Sequence, residues 1–138
     1  MDITKLSAAD TAAIHLKGAD GEPLYDGENA VRIVVYGPGS KAYGAVEARQ
    51  SSRAVKRMQD NDGKISIAPF EQRVAETAED LAAITVRFEN LDYPPASDAQ
   101  GTALFEAVYR DQSLGFVAKQ VTKFVGDWGN FTPGSAGI

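Results

Sequence analysis

The sequence contains no cysteine, one histidine and one tryptophan in 138 residues. Without cysteine, the chain has no disulfide framework, no thiolate nucleophile and no thiolate metal site. His15 is the only imidazole available as a general base, and no nucleophile-elbow motif accompanies it. We therefore expect a structural or surface role for His15, no metal, no cofactor and no enzymatic activity.

Long apolar runs and an excess of positive charge are also missing. No apolar stretch is long enough to cross a bilayer, and "MDITKLSAAD" lacks the apolar core flanked by cations of an export signal. The formal net charge of −5 and the isoelectric point near 4.8 disfavour general nucleic-acid binding, which needs clustered cations. We expect a protein that binds neither membrane nor nucleic acid.

The length and the 43% of hydrophobic residues suffice for one self-contained core. We expect one globular domain over residues 1–131 and a flexible tail over residues 132–138, where "TPGSAGI" is rich in small residues.

The first half of the chain predicts a β-hairpin and then a helix. The runs "TAAIHLK" and "NAVRIVVYG" are rich in β-branched residues and are joined by a turn-forming segment. Pro38 and Gly39 suit a tight turn, and Ser40 is a suitable cap for a helix from about Lys41 to Gln59. The "DNDG" stretch that follows is typical of a helix exit.

The second half predicts further helices. Helical spacing runs from Ala68 to Leu91 through the apolar residues Phe70, Val74, Leu81, Ile84 and Phe88. Two prolines end this pattern, and Ser97 or Asp98 is a possible cap for another helix over residues 103–111. The fold class is therefore α+β: an N-terminal β-hairpin, forming a small antiparallel sheet, followed by three or four α-helices.

Near the C-terminus, five apolar residues are spaced by four, three, four and three positions, which would place them on one helical face. They are Val117, Val121, Phe124, Trp128 and Phe131. Such a stripe must be buried, either in the protein's own core or in a subunit or partner interface. Both interpretations stay open.

The first predicted helix has a basic face made by Arg49, Arg53, Lys56 and Arg57, which are spaced three or four apart or adjacent. From Lys41 to Gln59 there are five basic residues and one acidic residue, although the whole chain is acidic. The face is either a solvated helix surface or a docking surface for an acidic segment of a partner or of another copy of this chain.

Two loops imitate ligand sites without completing them. "GPGSKAYG" lacks the third glycine of a dinucleotide loop and the Gly-Lys-Ser/Thr ending of a P-loop. "DNDGKIS" is similar to a calcium loop, but that register puts Met58 and Pro69 at ligand positions. A tight turn and a helix exit explain the same residues.

Three blocks together resemble the tail assembly chaperones of long-tailed bacteriophages. They are "VRIVVYGPGSKAY", "AEDLAAITVRFENL" and "LFEAVYRDQSLGFVAKQVTKFVGDWGNF". The first is a strand, a Gly-Pro-x-Ser turn and a basic helix, the second a helix with a Leu-Ala-Ala step before an aromatic stretch. The third is similar to the family's closing helices, which end in Asp, an aromatic residue and Phe. The likeness spans roughly residues 14–131.

The resemblance implies a non-enzymatic protein that binds the tape measure protein, keeps it soluble and helps deliver it for polymerisation of the tail tube. It implies a location in the cytoplasm of the infected bacterial host and absence from the mature virion. The tail tube protein is a possible second partner, and a homo-oligomer is possible. We assign partner binding to the basic face and the apolar stripe. The alternative is a structural phage component, such as a tail-tube or head-completion protein.

Overall fold

The computed structural model describes residues 1–134. Within this range the strands are β1 (Thr11–His15), β2 (Tyr25–Asp26), β3 (Asn29–Ala30), β4 (Arg32–Tyr36) and β5 (Thr85–Glu89). The helices are α1 (Lys41–Asp60), α2 (Phe70–Ala83), α3 (Thr102–Arg110) and α4 (Gly115–Val125). The predicted α+β class is confirmed. Most of the predicted tail, residues 132–138, lies outside the described residues.

The N-terminal hairpin supplies two of the three strands of the main sheet, and β4 is the central strand. β1 and β4 pair antiparallel, with Thr11 opposite Tyr36 and His15 opposite Arg32. The short β2–β3 hairpin lies in the connection between them. β5 pairs antiparallel with the other side of β4, so the sheet has the order β1-β4-β5.

The predicted helix from Ala68 to Leu91 is wrong in its last part. α2 ends at Ala83, and the chain continues as β5. Phe88 packs against Phe105, with ring centroids 4.7 Å apart, so the spacing that imitated a helix serves a strand instead. The pairing with β4 is a tertiary effect that overrides the local pattern, and the β-branched and aromatic residues of β5 suit a half-buried sheet.

The start and the end of α1 follow the sequence signals. The Ser40 hydroxyl accepts a hydrogen bond from the Tyr43 amide at 3.2 Å and donates one to the Gly37 carbonyl oxygen at 2.7 Å, which confirms the predicted cap. After Asp60 the chain turns through Asp62 and Gly63, which both have positive φ angles. Glycine adopts this geometry without strain, so "DNDG" is a helix exit.

Two predictions for the later helices are corrected. α3 begins after Gly101 without a side-chain cap, so neither Ser97 nor Asp98 caps it. α4 ends at Val125, and residues 128–131 form a separate 3-10 turn, opened by a hydrogen bond from the Gly129 amide to the Asp127 carboxylate. The five apolar residues therefore do not lie on one continuous helix, because the chain changes direction between Phe124 and Trp128.

The hydrophobic core lies between the sheet, the second half of α2, and helices α3 and α4. Its fully buried side chains are Ile33, Val35, Val108, Val121 and Phe131. Within residues 47–77 only the small side chain of Ala68 is buried, and it lies outside this core cluster. We call this segment the arm: most of α1, the connecting loop and the first half of α2. A helix as long as α1 extends about 30 Å, so the arm is long relative to the apolar contacts that anchor it.

No helix in the described part of the chain combines the length and the apolar character needed to cross a membrane.

Candidate partner interface

The basic face of α1 is turned towards α2. Two of its arginines bind one buried carboxylate on α2, that of Asp80. Asp80 is 7% exposed. Arg49 Nη2 and Arg53 Nη1 each lie 2.9 Å from an Asp80 oxygen, and Gln50 Nε2 donates to Asp80 at 3.1 Å. Glu79, the preceding residue, lies 3.4–3.5 Å from the same two guanidinium groups. We call this group of five side chains the clasp, because it joins the arm's two helices.

The electrostatics of the clasp favour the ionised form of Asp80. Burial alone would raise its pKa, but hydrogen bonds from Arg53, Gln50 and Arg49 outweigh that effect and hold the pKa below its ordinary value. The hydrogen bond to Asp80 in turn raises the pKa of Arg53. The clasp is therefore a charged contact at neutral pH.

The other two residues of the basic face differ from each other. Arg57 forms an ion pair with Glu76, one helical turn before Glu79–Asp80 in α2. Lys56 is exposed and makes no ion pair within the described residues. Of the four predicted docking cations, three are thus engaged inside the chain, and only Lys56 is fully available to a partner.

The apolar stripe near the C-terminus divides in a similar way. Val117, Val121 and Phe131 belong to the core, and Phe124 packs partly buried against Phe131 with ring centroids 5.5 Å apart. Trp128 is 59% exposed. The structure does not bring these five side chains together on one open surface.

The Gly-Pro-Gly turn before α1 has its explanation in this aromatic packing. A Cβ atom on Gly37 would lie 2.4 Å from the Phe131 ring, and one on Gly39 would lie 3.3 Å from Trp128. The Phe131 carbonyl oxygen also accepts a hydrogen bond from the Ala9 amide at 2.7 Å. The two glycines let the C-terminal aromatic residues lie against the backbone of the turn.

Five of the ten exposed large hydrophobic side chains in the described part of the chain lie on the arm, around the connection between α1 and α2. Ile65 and Ile67 are 87% and 80% exposed. Val55, Met58 and Phe70 are also exposed large hydrophobic residues. We call these five residues the arm tip. Val55 and Met58 share one face of α1 because they are three positions apart, and Met58 and Ile65 line one small surface hollow.

Part of the loop backbone between α1 and α2 is also open. In the described part of the chain, neither Ser66 nor Ile67 makes a backbone hydrogen bond, whereas the turn at residues 61–64 is closed by several. The loop therefore offers main-chain groups as well as apolar side chains to a partner.

The sequence contained a signal for the arm tip. Within "KISIAPF", Ile65 and Ile67 alternate with polar or small residues directly after a helix exit, as in a strand. The segment ends at Pro69, however, and is too short to form a strand. Apolar residues in a loop that is too short to be a strand are a reason to expect a surface contact. The sequence contained no comparable signal that the α1 arginines pair with acidic residues of α2.

A cleft of about 740 Å³ lies between β1 and the C-terminal end of α4 and includes His15 and Asp127. His15 Nε2 donates to the Leu24 carbonyl oxygen at 2.9 Å, and its ring packs edge-on against Tyr25. The hydrogen bond and the ring contact are both structural contacts of His15. Across the described residues, no group of three or more His, Asp or Glu side chains is arranged to hold a metal ion.

Comparisons with protein-family models, with curated proteins and with solved structures gave no match to this chain.

Proposed function

We propose that this chain is a non-enzymatic chaperone of phage tail assembly, which binds the tape measure protein in the cytoplasm of the infected bacterium and is absent from the mature virion. The observation that carries the proposal is the arm tip. Its apolar side chains face water although a complete core exists elsewhere, and exposed apolar clusters of this kind mark protein interaction sites.

The proposed partner, the tape measure protein, needs a surface that covers its apolar side chains. On the resemblance described above, the tape measure protein is long and largely helical, and its apolar stripes aggregate if they stay uncovered. An exposed cluster that contains an unbranched, adaptable methionine can cover such stripes without one fixed geometry. The chain's net charge of −5 would help to keep the complex soluble.

The test is co-expression with the tape measure protein, comparing the wild-type chain with the Ile65→Ser/Ile67→Ser double variant. Burial of two isoleucine side chains contributes about 3 kcal/mol or more, which corresponds to roughly a hundredfold in affinity. We expect the wild type to keep the tape measure protein soluble and the double variant to lose it. Neither substitution removes a core contact, since both side chains are exposed.

A matched control is the Ile3→Ser/Leu6→Ser variant, which makes the same kind of change at two exposed residues near the N-terminus. It should capture the tape measure protein as the wild type does. The proposal is wrong if the tape measure protein precipitates with every version while this chain alone assembles into stable rings found in purified virions. That result would favour a structural component of the particle.

A further inference from the structure

A second surface begins where the arm tip ends. A groove of about 490 Å³ lies between the first half of α2 and the start of α4. Phe70 stands at its arm end, Val74 and Ala118 line its sides, and Tyr109 lies among its lining residues. Its size is in the range of pockets that receive a small ligand or a few side chains. We call it the α2–α4 groove.

The available charge at this groove is positive. Arg73 on α2 and Lys119 on α4 are both exposed, and neither forms an ion pair within the described residues. The Arg73 guanidinium instead lies 5.7 Å from the centroid of the Phe70 ring, a cation–π contact that holds it beside the groove.

The only carboxylate on the groove lining, among the residues described, is already satisfied. Asp111 Oδ1 accepts hydrogen bonds from the Ser113 amide and hydroxyl, and Oδ2 accepts one from the Tyr93 hydroxyl at 2.8 Å. Hydrogen bonds from Ser113 and Tyr93 lower the pKa of Asp111, so the carboxylate stays ionised, but it forms no ion pair with either cation within the described residues. A chain that is acidic overall therefore has a groove with an apolar lining, two cations that form no ion pair and one carboxylate, so the lining is positively charged on balance.

We propose that the α2–α4 groove binds an amphipathic helix of a partner protein, with an apolar side chain in the groove and carboxylates beside it that pair with Arg73 and Lys119. Charge complementarity selects this occupant, since an apolar lining without charge preference would accept any amphipathic helix. If the proposed function holds, the helix belongs to the tape measure protein, and it runs from the arm tip past Phe70 into the groove.

The binding chemistry is testable without the natural partner. The probes are two labelled synthetic helical peptides with the same leucine face: one has glutamate at the flanking positions, and the other has lysine there. Fluorescence anisotropy with the full chain should show the glutamate peptide binding about tenfold more tightly or better, and increasingly so at low salt. Equal binding of both peptides, or of neither, would overturn the proposal.

Single charge reversals locate the site. Lys119→Glu and Arg73→Glu should each lower the affinity for the glutamate peptide about tenfold and raise the affinity for the lysine peptide, because the sign of the charge interaction changes. Lys123→Glu is the matched control: it reverses an exposed cation on the same helix, but Lys123 lines the separate cleft near His15. Equal effects of Lys119→Glu and Lys123→Glu would show a general charge effect and sink the assignment.

Two further outcomes would point to a different occupant. If single-stranded DNA displaces the glutamate peptide at equal charge concentration, the surface binds anions in general and the proposal fails. It also fails if sedimentation shows a dimer of this chain that Lys119→Glu dissociates, because a second copy would then fill the groove.

Failure here is separable from failure of the proposed function. If the tape measure protein is captured equally by the wild type and by Lys119→Glu, the groove assignment is wrong and the arm tip is sufficient for chaperone activity. If peptide binding follows the charge pattern but the tape measure protein is not captured, the groove assignment stands, and its helix comes from a different partner.

Discussion

The two ends of this molecule are held by different forces. At the sheet end, Ile33, Val35 and Phe131 are fully buried, and the Phe131 ring closes the core against Gly37. Along the arm, α1 and α2 are joined by arginine–carboxylate contacts around Asp80, and the large apolar side chains of the arm tip face water. One end uses its apolar surface for folding, and the other leaves it uncovered.

This difference separates the residues that stabilise the fold from the exposed apolar residues of the arm tip. Apolar burial at the sheet end supplies most of the favourable free energy of folding. Ion pairs that are partly exposed contribute much less, because desolvation and side-chain entropy offset their attraction. Apolar side chains can therefore stay exposed on the arm without weakening the core.

The largest effect we predict is at the sheet end. Phe131→Ala should lower the free energy of unfolding by about 3–5 kcal/mol, because it removes a fully buried ring and leaves a cavity beside Gly37 and Phe124. Trp128→Ala, at the exposed neighbour, should cost much less. Urea denaturation of both variants checks this. Equal losses in the free energy of unfolding would mean that the buried Phe131 ring stabilises the core no more than the exposed Trp128 does.

A smaller effect is expected at the clasp. Asp80→Asn removes the charge that Arg49 and Arg53 share, and we expect a loss of about 2 kcal/mol, reduced from the value for a fully buried pair because both arginines are partly exposed. Hydrogen exchange should increase along the arm first.

Glu79→Gln is the matched control for this substitution, since Glu79 lies near the same two arginines but is half exposed. It should change the stability by less than about 0.5 kcal/mol. If Glu79→Gln costs as much as Asp80→Asn, the buried position of Asp80 has no special weight and the clasp is a surface network.

The smallest effect is the pH dependence of the clasp. Because the pKa of Asp80 is lowered in the folded chain, its contribution to stability is fully present above the ordinary aspartate pKa of about 3.9 and is lost as the pH falls through the folded value. The stability difference between the wild type and Asp80→Asn should therefore be constant from pH 7 to 5 and shrink below about pH 4. A difference that is unchanged at pH 3 would contradict the lowered pKa.

The sequence predicted the parts of the fold that have local causes. The β-branched runs gave the β1–β4 hairpin, and Ser40 and Gly63 marked the ends of α1. β5 was missed because Phe88 and Leu91 match helical spacing, and only pairing with β4 makes that segment a strand. Local patterns contain no information on such pairings.

The same limit applies to the candidate interface. Spacing found the basic face of α1, but its acidic partners lie some 20–30 positions further along the chain, on α2. The apolar stripe was recognised, but its burial depends on the turn after Val125, which places Phe131 against the hairpin. Ile65 and Ile67 could have been noticed as apolar residues in a loop.

The central claim is that a partner is bound by the arm and not by the C-terminal aromatic residues. Hydrogen–deuterium exchange of this chain, alone and in complex with the tape measure protein, tests it most directly. We predict that the partner slows exchange in residues 58–77 and leaves residues 124–131, which contain the C-terminal aromatic side chains, unchanged. Slowed exchange confined to residues 124–131, with the arm unaffected, would contradict the account.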